Sequence, residues 1–217
     1  MPALLFFGEN NYLLRAEIRR IVEKFKKSEG DLNLTILDTQ EAGESEIISA
    51  GETPPFLGKV RLVVVRDFDF KKSANILAKF IENLPEHCTL IFTAKKPDAR
   101  TKLFKAFKKF GKTREFPLPK PAEFKKWLAS EITRENLELE PAAMELLATF
   151  TLGDCGTAVN EIIKLKTFAD GRKITQADVE LLTHPNLHTS VFRLTDAIGE
   201  RRIGNALADL RDIVNRG

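Results

Sequence analysis

Gly8 closes the apolar run Leu4–Phe7, and a helical pattern begins a few residues later at Tyr12. Strand, glycine turn and helix in that order is the arrangement that cradles a phosphate, because backbone N–H groups and a helix N-terminus face the anion. The chemistry it would support is nucleotide binding and hydrolysis. With Gly8 as the first glycine of G-x-x-x-x-G-K-[ST], Leu13 stands in place of the second glycine, Leu14 in place of the lysine and Arg15 in place of the hydroxyl residue. None matches. The backbone then cannot wrap a phosphate, and neither charge neutralisation nor a magnesium ligand is available. Leu13 and Leu14 are expected to face a core or a partner.

A second carboxylate motif should follow a later apolar strand as Asp-Glu. After Val60–Val65 the sequence reads Arg66, Asp67, Phe68, so Asp67 is one position out of register and has no acidic neighbour. A turn-forming Asp fits better than a catalytic one. The chain therefore has the skeleton of a nucleotide hydrolase without its chemistry, and no cofactor is expected. Metal chemistry is equally poorly provided for. His184 and His188 are four apart, but Pro185 argues for a loop there. Cys88 and Cys155 form no C-x-x-C pair and read as reduced thiols.

Charge is distributed unevenly. The net charge is only +3, from 34 basic and 31 acidic side chains, yet Lys95 to Arg114 holds nine basic residues against one acid, Asp98. One reading is the solvated face of an amphipathic helix. The other is a phosphate-contacting face, with Lys102, Lys105, Lys108 and Lys109 touching DNA. Phe6, Phe7, Phe68 and Phe70 fit core or edge packing better than base stacking, since Asp67 and Asp69 alternate with the last two.

These residues need elements to position them. Strands are expected at Leu4–Phe7, Leu32–Leu37, Val60–Val65, Leu90–Thr93 and Thr113–Phe116. Helices are expected between them, near Tyr12–Lys27, Glu44–Ala50, Ala74–Leu84 and Ala99–Phe110, the last with Leu103, Phe107 and Phe110 inward. Alternation of this kind means a parallel five-stranded sheet in an α/β domain. Three prolines in five residues, Pro117 to Pro121, then make a stiff linker. Beyond it the pattern is helical: Ala122–Asn136, Pro141–Phe150, Asp154–Ala169 and Thr175–Thr183, with Asp154 as an N-cap and Thr175 with Asp178 as a capping box. After the break at His184–His188, two more amphipathic helices are expected, Ser190–Gly199 and Ile203–Asn215. A hydrophobic fraction of 43% and no apolar run near the roughly 20 residues of a bilayer span point to a globular, cytoplasmic protein without a membrane partner. The start MPALLFFGENN lacks the basic end and cleavage site of a signal peptide.

In order and spacing, LLFFGENNYLL, PPFLGKVRLVVVRDFD, KPDARTKLFKAFKKFG, the segment around Trp127, AVNEIIKLKTFADGRKITQADVELL and VFRLTDAI resemble the δ subunit of the bacterial DNA polymerase III clamp loader. The resemblance implies an AAA+-like α/β domain over 1–117, a helical lid over 118–185 and the start of an oligomerising collar over 186–217. The family is longer, so it also implies a shortened collar. It implies a protein that is not an enzyme by itself, working within the polymerase III holoenzyme. Its partners would be the DNA sliding clamp, the γ/τ motor subunits, δ′, and primed DNA only within the assembled complex. Related ATP-binding subunits carry G-S-x-R-D-A at the third lid helix. The corresponding residues here run Gly153 to Ala158, with Gly156 in place of the arginine.

The resemblance also implies a clamp-gripping plug at Pro55, Phe56 and Leu57. Taken alone, an apolar Phe-Leu pair more often folds into its own core. Two prolines that stiffen the backbone ahead of it, Pro54 and Pro55, suit a plug instead. The alternatives to a clamp-opening subunit are a divergent P-loop NTPase and a DNA-binding accessory protein.

Overall fold

The computed structural model describes residues 3–38, 43–70 and 75–183, with scattered positions between 195 and 211. His184 and His188 lie outside the described residues, as does most of the two expected helices beyond them. The chain forms two compact units, Met1–Leu118 and Pro119–Gly217.

In the first unit, strands β1 (Leu4–Phe7), β2 (Leu34–Asp38), β3 (Arg61–Arg66), β4 (Cys88–Ala94) and β5 (Lys112–Glu115) alternate with helices α1 (Asn11–Glu29), α2 (Glu44–Glu52), α3 (Asn75–Glu82) and α4 (Lys102–Phe110). The sheet order is β2-β3-β4-β1-β5, and every pairing is parallel. Strands covered on both faces need no polar alternation, which is why β4 is buried at all seven positions and β3 at four. Successive side chains point to opposite faces. Leu5, Val63, Val65, Leu90 and Phe92 pack with Ile47, Leu77, Phe80, Leu103 and Phe107 of α2, α3 and α4. Phe6, Leu62, Val64 and Ile91 pack with Leu14 and Ile18 of α1. Three helices cover one face, and α1 covers the other.

An aromatic chain runs through the larger core, with Phe92 at 5.0 Å from Phe68 and 5.2 Å from Phe107, both edge to face. Phe6 and Phe70 are buried, and Phe7 and Phe68 are half-buried against the same core. All four are therefore packing residues. The outer strand β5 exposes every side chain of KTRE, and such charges discourage pairing with a further strand.

Two local expectations fail. Leu32 was expected to begin the second strand, but Asp31–Asn33 form a single 3-10 turn and the ladder starts at Leu34. Asn33 is pulled out of the strand pattern by side-chain bonds to a distant loop, described below. Phe110 was expected to face inward but is 39% exposed. It is the last residue of α4, and Gly111 turns the chain away against the carbonyl of Ala3 to begin β5. Lys109 Nζ covers its ring at 4.7 Å.

The second unit contains α5 (Pro121–Arg134), α6 (Pro141–Thr151), α7 (Cys155–Ala169) and α8 (Gln176–Leu182). Pro121 and Pro141 occupy first-turn positions, where the missing N–H has no helical partner to lose. Asp154 caps α7 through Gly156 and Thr157, at 2.9 and 3.2 Å. Thr175 and Asp178 form a reciprocal capping box at the start of α8, and Arg172 grips the Asp178 carboxylate with both nitrogens. That grip holds the Asp178 carboxyl well below the usual carboxylate range. Trp127 stacks on Phe124 at 5.6 Å, and Leu128, Leu147, Ile162, Leu165 and Val179 are fully buried.

Phe92 is 0% exposed and is touched by rings from two directions. Truncation to Ala should lower stability by about 3–5 kcal/mol, the range for a buried aromatic that leaves a cavity. A urea midpoint unchanged from the parent would contradict this assignment of the core.

Candidate functional site

The turn after β1 is filled by the chain itself. Gly8 has φ +137°, and its N–H donates to the Ala94 carbonyl at 3.3 Å. The Phe116 N–H donates to the Phe7 carbonyl at 2.7 Å, and the Phe116 carbonyl accepts from Asn10 N–H at 3.0 Å. A Cβ at Gly8 would lie 2.2 Å from that carbonyl oxygen. The glycine is therefore required by the close approach of Phe116, whatever its resemblance to a phosphate loop. At the start of α1, Asn11 N–H donates to the Glu9 carbonyl, Leu13 N–H to the Asn10 side chain at 3.1 Å, and Leu14 N–H to the Asn10 carbonyl. These are donors that a bound phosphate would need. Leu14 is buried, Leu13 half-buried against the same core, and Arg15 exposed.

The other positions of the degenerate site are equally committed. Asp67 has φ +51° and donates its N–H to Thr93 Oγ1 at 2.8 Å, while Phe68 N–H donates to the Thr93 carbonyl. It is a turn residue. In the second unit, Gly156 lies in the first turn of α7 and its N–H is taken by the Asp154 cap. A cleft of about 420 Å³ lies beside α1, lined by Arg15, Arg19 and Arg66 but also by Asp38 and Asp67, so its charge is mixed.

The loop between α2 and β3 is different in character. Phe56 is 60% exposed and Leu57 94%, on a stretch where Pro54 is exposed and Pro55 half-buried. Leu57 has φ +49°, a left-handed conformation that L-residues enter at a cost. The base of the loop is tied down on both sides of these side chains. Asn33, fully buried, donates Nδ2 to the Phe56 carbonyl at 3.0 Å and accepts the Phe56 N–H on Oδ1 at 2.6 Å. Glu29 Oε2 accepts from Lys59 N–H at 2.9 Å and from Val60 N–H at 3.4 Å. The apolar pair has not folded back into the core. It is held out in solvent on a fixed backbone.

The basic helix is also outward-facing. Lys102, Lys105, Lys108 and Lys109 are exposed, while Leu103, Ala106 and Phe107 are buried. Among the described residues none of these four lysines is ion-paired. The neighbouring arginines are: Arg100 chelates Asp98, drawing its carboxyl down to about 2, and Arg114 pairs with Glu17 at 3.1 Å. Cys88 and Cys155 are buried free thiols, and burial pushes Cys88 up to about 11. Among the described residues no group of three His, Cys, Asp or Glu could hold a metal, and no helix is long and apolar enough to cross a membrane.

Asn33 and Glu29 were missed by sequence reasoning. An Asn inside DLNLTIL gives no sign that its amide will pair with a main chain 23 positions away.

A parallel sheet of order β2-β3-β4-β1-β5 joined by helices, followed by a helical unit, is an AAA+-like α/β fold. The family model for "DNA polymerase III, delta subunit" matches residues 4–116. The chain belongs to that family. It is 28% identical to DNA polymerase III subunit delta of Bacillus subtilis, an alignment covering 99% of this chain and 66% of that protein. The chain thus spans just under two thirds of that relative's length. Among solved structures it is similar to the Bacillus subtilis DNA clamp loader delta protein, with a TM-score of 0.67 and 26% identity over 100% of this chain and 68% of that one. The Thermotoga maritima RuvB branch-migration motor shares the fold at 14% identity and a TM-score of 0.58, covering 93% and 70% of the two chains.

Replacing Gly8 by Ala should destabilise the first unit by about 2 kcal/mol or more, because the methyl group meets backbone and not a side chain that can move aside. Thermal melting of the variant checks this, and a parental transition would show that the turn tolerates a Cβ.

Proposed function

We propose that this chain is a clamp-loader δ subunit that grips the DNA sliding clamp and favours its open form, contributing no ATP hydrolysis itself. The observation that carries the reading is the outward presentation of Phe56 and Leu57 on a tethered loop beginning at Pro55. A rigid backbone loses little entropy on binding, and an aromatic residue entering a pocket can contribute roughly 2–4 kcal/mol. Membership of the δ family and similarity to a protein named as a clamp-loader delta protein support it.

A divergent nucleotide hydrolase would need donors at the turn after β1, where the N–H groups of Gly8, Asn10 and Leu13 already have partners in the chain. With no fuel of its own, such a subunit works by differential affinity. It shifts the ring toward an open state only as far as it binds that state better than the closed one. On this reading 1–117 is the clamp-binding domain, 118–185 a lid, and 186–217 the start of a collar that meets the γ/τ and δ′ subunits. The protein acts in the cytoplasm as part of the polymerase III holoenzyme, itself no enzyme.

Phe56→Ala combined with Leu57→Ala should weaken binding to the sliding clamp by about 100-fold or more. Its melting temperature should stay at the parental value, because neither side chain is in the core. Surface plasmon resonance on immobilised clamp measures the first and calorimetry the second. Parental affinity in the double variant would remove the plug from consideration.

The exposed lysines of α4, none of them ion-paired among the described residues, favour one further contact, with the phosphates of primed DNA inside the assembled loader. Reversing Lys102, Lys105, Lys108 and Lys109 to Glu should flatten the salt dependence of DNA binding by the loader, by about one unit of slope per lost phosphate contact. An unaltered slope would leave the helix as a solvated face.

A further inference from the structure

The loop that carries Phe56 and Leu57 is held from behind by two residues, Asn33 and Glu29. Asn33 is 0% exposed, and its amide makes three bonds: to the Phe56 N–H, to the Phe56 carbonyl, and, through Nδ2 at 3.1 Å, to the carbonyl of Glu29 near the end of α1. A buried amide fully engaged in this way is a rigid bracket. It reads main chain only, as a neighbouring strand would, and so fixes the Phe56 backbone without restricting its side chain. The sheet itself does not require it. The β2–β3 ladder begins one residue later, at Leu34 with Leu62. Glu29 secures the other side through Lys59 and Val60. Gly58 lies between the two: a Cβ there would come within 2.6 Å of Asn33 Nδ2 and 2.9 Å of Glu29 Oε2. Bracket, glycine and carboxylate thus form one fitted seat beneath two outward apolar side chains.

Resting on the clamp-binding reading above, we infer that Asn33 and Glu29 are positioning residues that preorganise the Phe56–Leu57 loop for the ring. They act by lowering the conformational entropy lost when the plug docks. The interaction is thereby divided between adhesive side chains that touch the ring and polar ones behind them, one buried and one half-buried, that hold the loop. Because Leu57 sits at positive φ, a released loop relaxes toward ordinary backbone and withdraws the plug from its docking pose.

The test uses the full chain and the cognate sliding clamp. Affinity is measured for the parent, Asn33→Ala, Glu29→Ala and Glu29→Gln, alongside hydrogen exchange of the Phe56 amide and thermal melting. Asn33→Ala and Glu29→Ala are each expected to bind about tenfold more weakly. Asn33→Ala should also lose protection at the Phe56 amide while the amides of β3 and β4 stay protected. Glu29→Gln keeps an acceptor oxygen for Lys59 and Val60, and should recover binding to within about twofold of the parent. Introduced into the Phe56→Ala, Leu57→Ala background, neither alanine change should weaken residual binding further, which general destabilisation would do. If Asn33→Ala does not fold, Glu29→Ala and Glu29→Gln decide. Should the parent bind the ring and the folded alanine variants bind it equally well, the positioning role is overturned and the plug stands. Should the parent itself not bind, the clamp-binding reading falls and this inference falls with it.

Discussion

The carbonyl of Phe116 fills the glycine turn that follows β1. It accepts the Asn10 N–H and lies so close to Gly8 that only a hydrogen fits between them. That carbonyl belongs to the residue that follows strand β5, and β5 is fixed in register on β1, Leu4 with Lys112 through Phe7 with Glu115. The sheet's own pairing therefore presses the chain into its phosphate turn. Everything proposed for the molecule depends on this closure. On the proposed reading the protein acts through surfaces, and those it offers are a tethered apolar pair and a lysine face.

Those two surfaces come from opposite physical habits. Exposing an apolar pair is unfavourable unless something covers it, whereas exposing lysines is ordinary. The protein maintains the unfavourable arrangement with two polar groups, the buried Asn33 and the half-buried Glu29, which make hydrogen bonds to main chain. Leaving such an amide buried without partners would cost about 1–3 kcal/mol, so the loop position and the burial of Asn33 support each other. The basic face needs no such support, since the amphipathic spacing of α4 puts Leu103 and Phe107 inward and the charges outward automatically.

Much of the fold was legible because it follows from nearest neighbours along the chain. The unalternating VRLVVV announced a strand covered on both faces, and it is one. Asp154 and the Thr175–Asp178 pair were legible as helix starts because a cap acts within three residues. Where a contact crosses the fold, the sequence went silent. Leu32 looked like strand, but the pull of Phe56 on Asn33 comes from 23 positions away. Phe110 looked inward by periodicity, yet the turn at Gly111 is set by Ala3 at the other end of the domain. At the candidate site, the missing lysine and hydroxyl could be read directly. The occupation of the turn by Phe116 could not, and the exposure of Phe56 and Leu57 ran against the general tendency of apolar pairs to bury.

The backbone angle at Leu57 narrows what chemistry that position can hold. A left-handed conformation suits glycine best, then asparagine or aspartate, and suits Val and Ile least. Glycine would relax the backbone but offer nothing to grip with, and the polar pair would stay wet. A β-branched residue would stick well but distort its own loop. An unbranched-at-Cβ aliphatic such as leucine is the compromise between those demands, so substitutions tolerated there should be drawn from a short list headed by methionine.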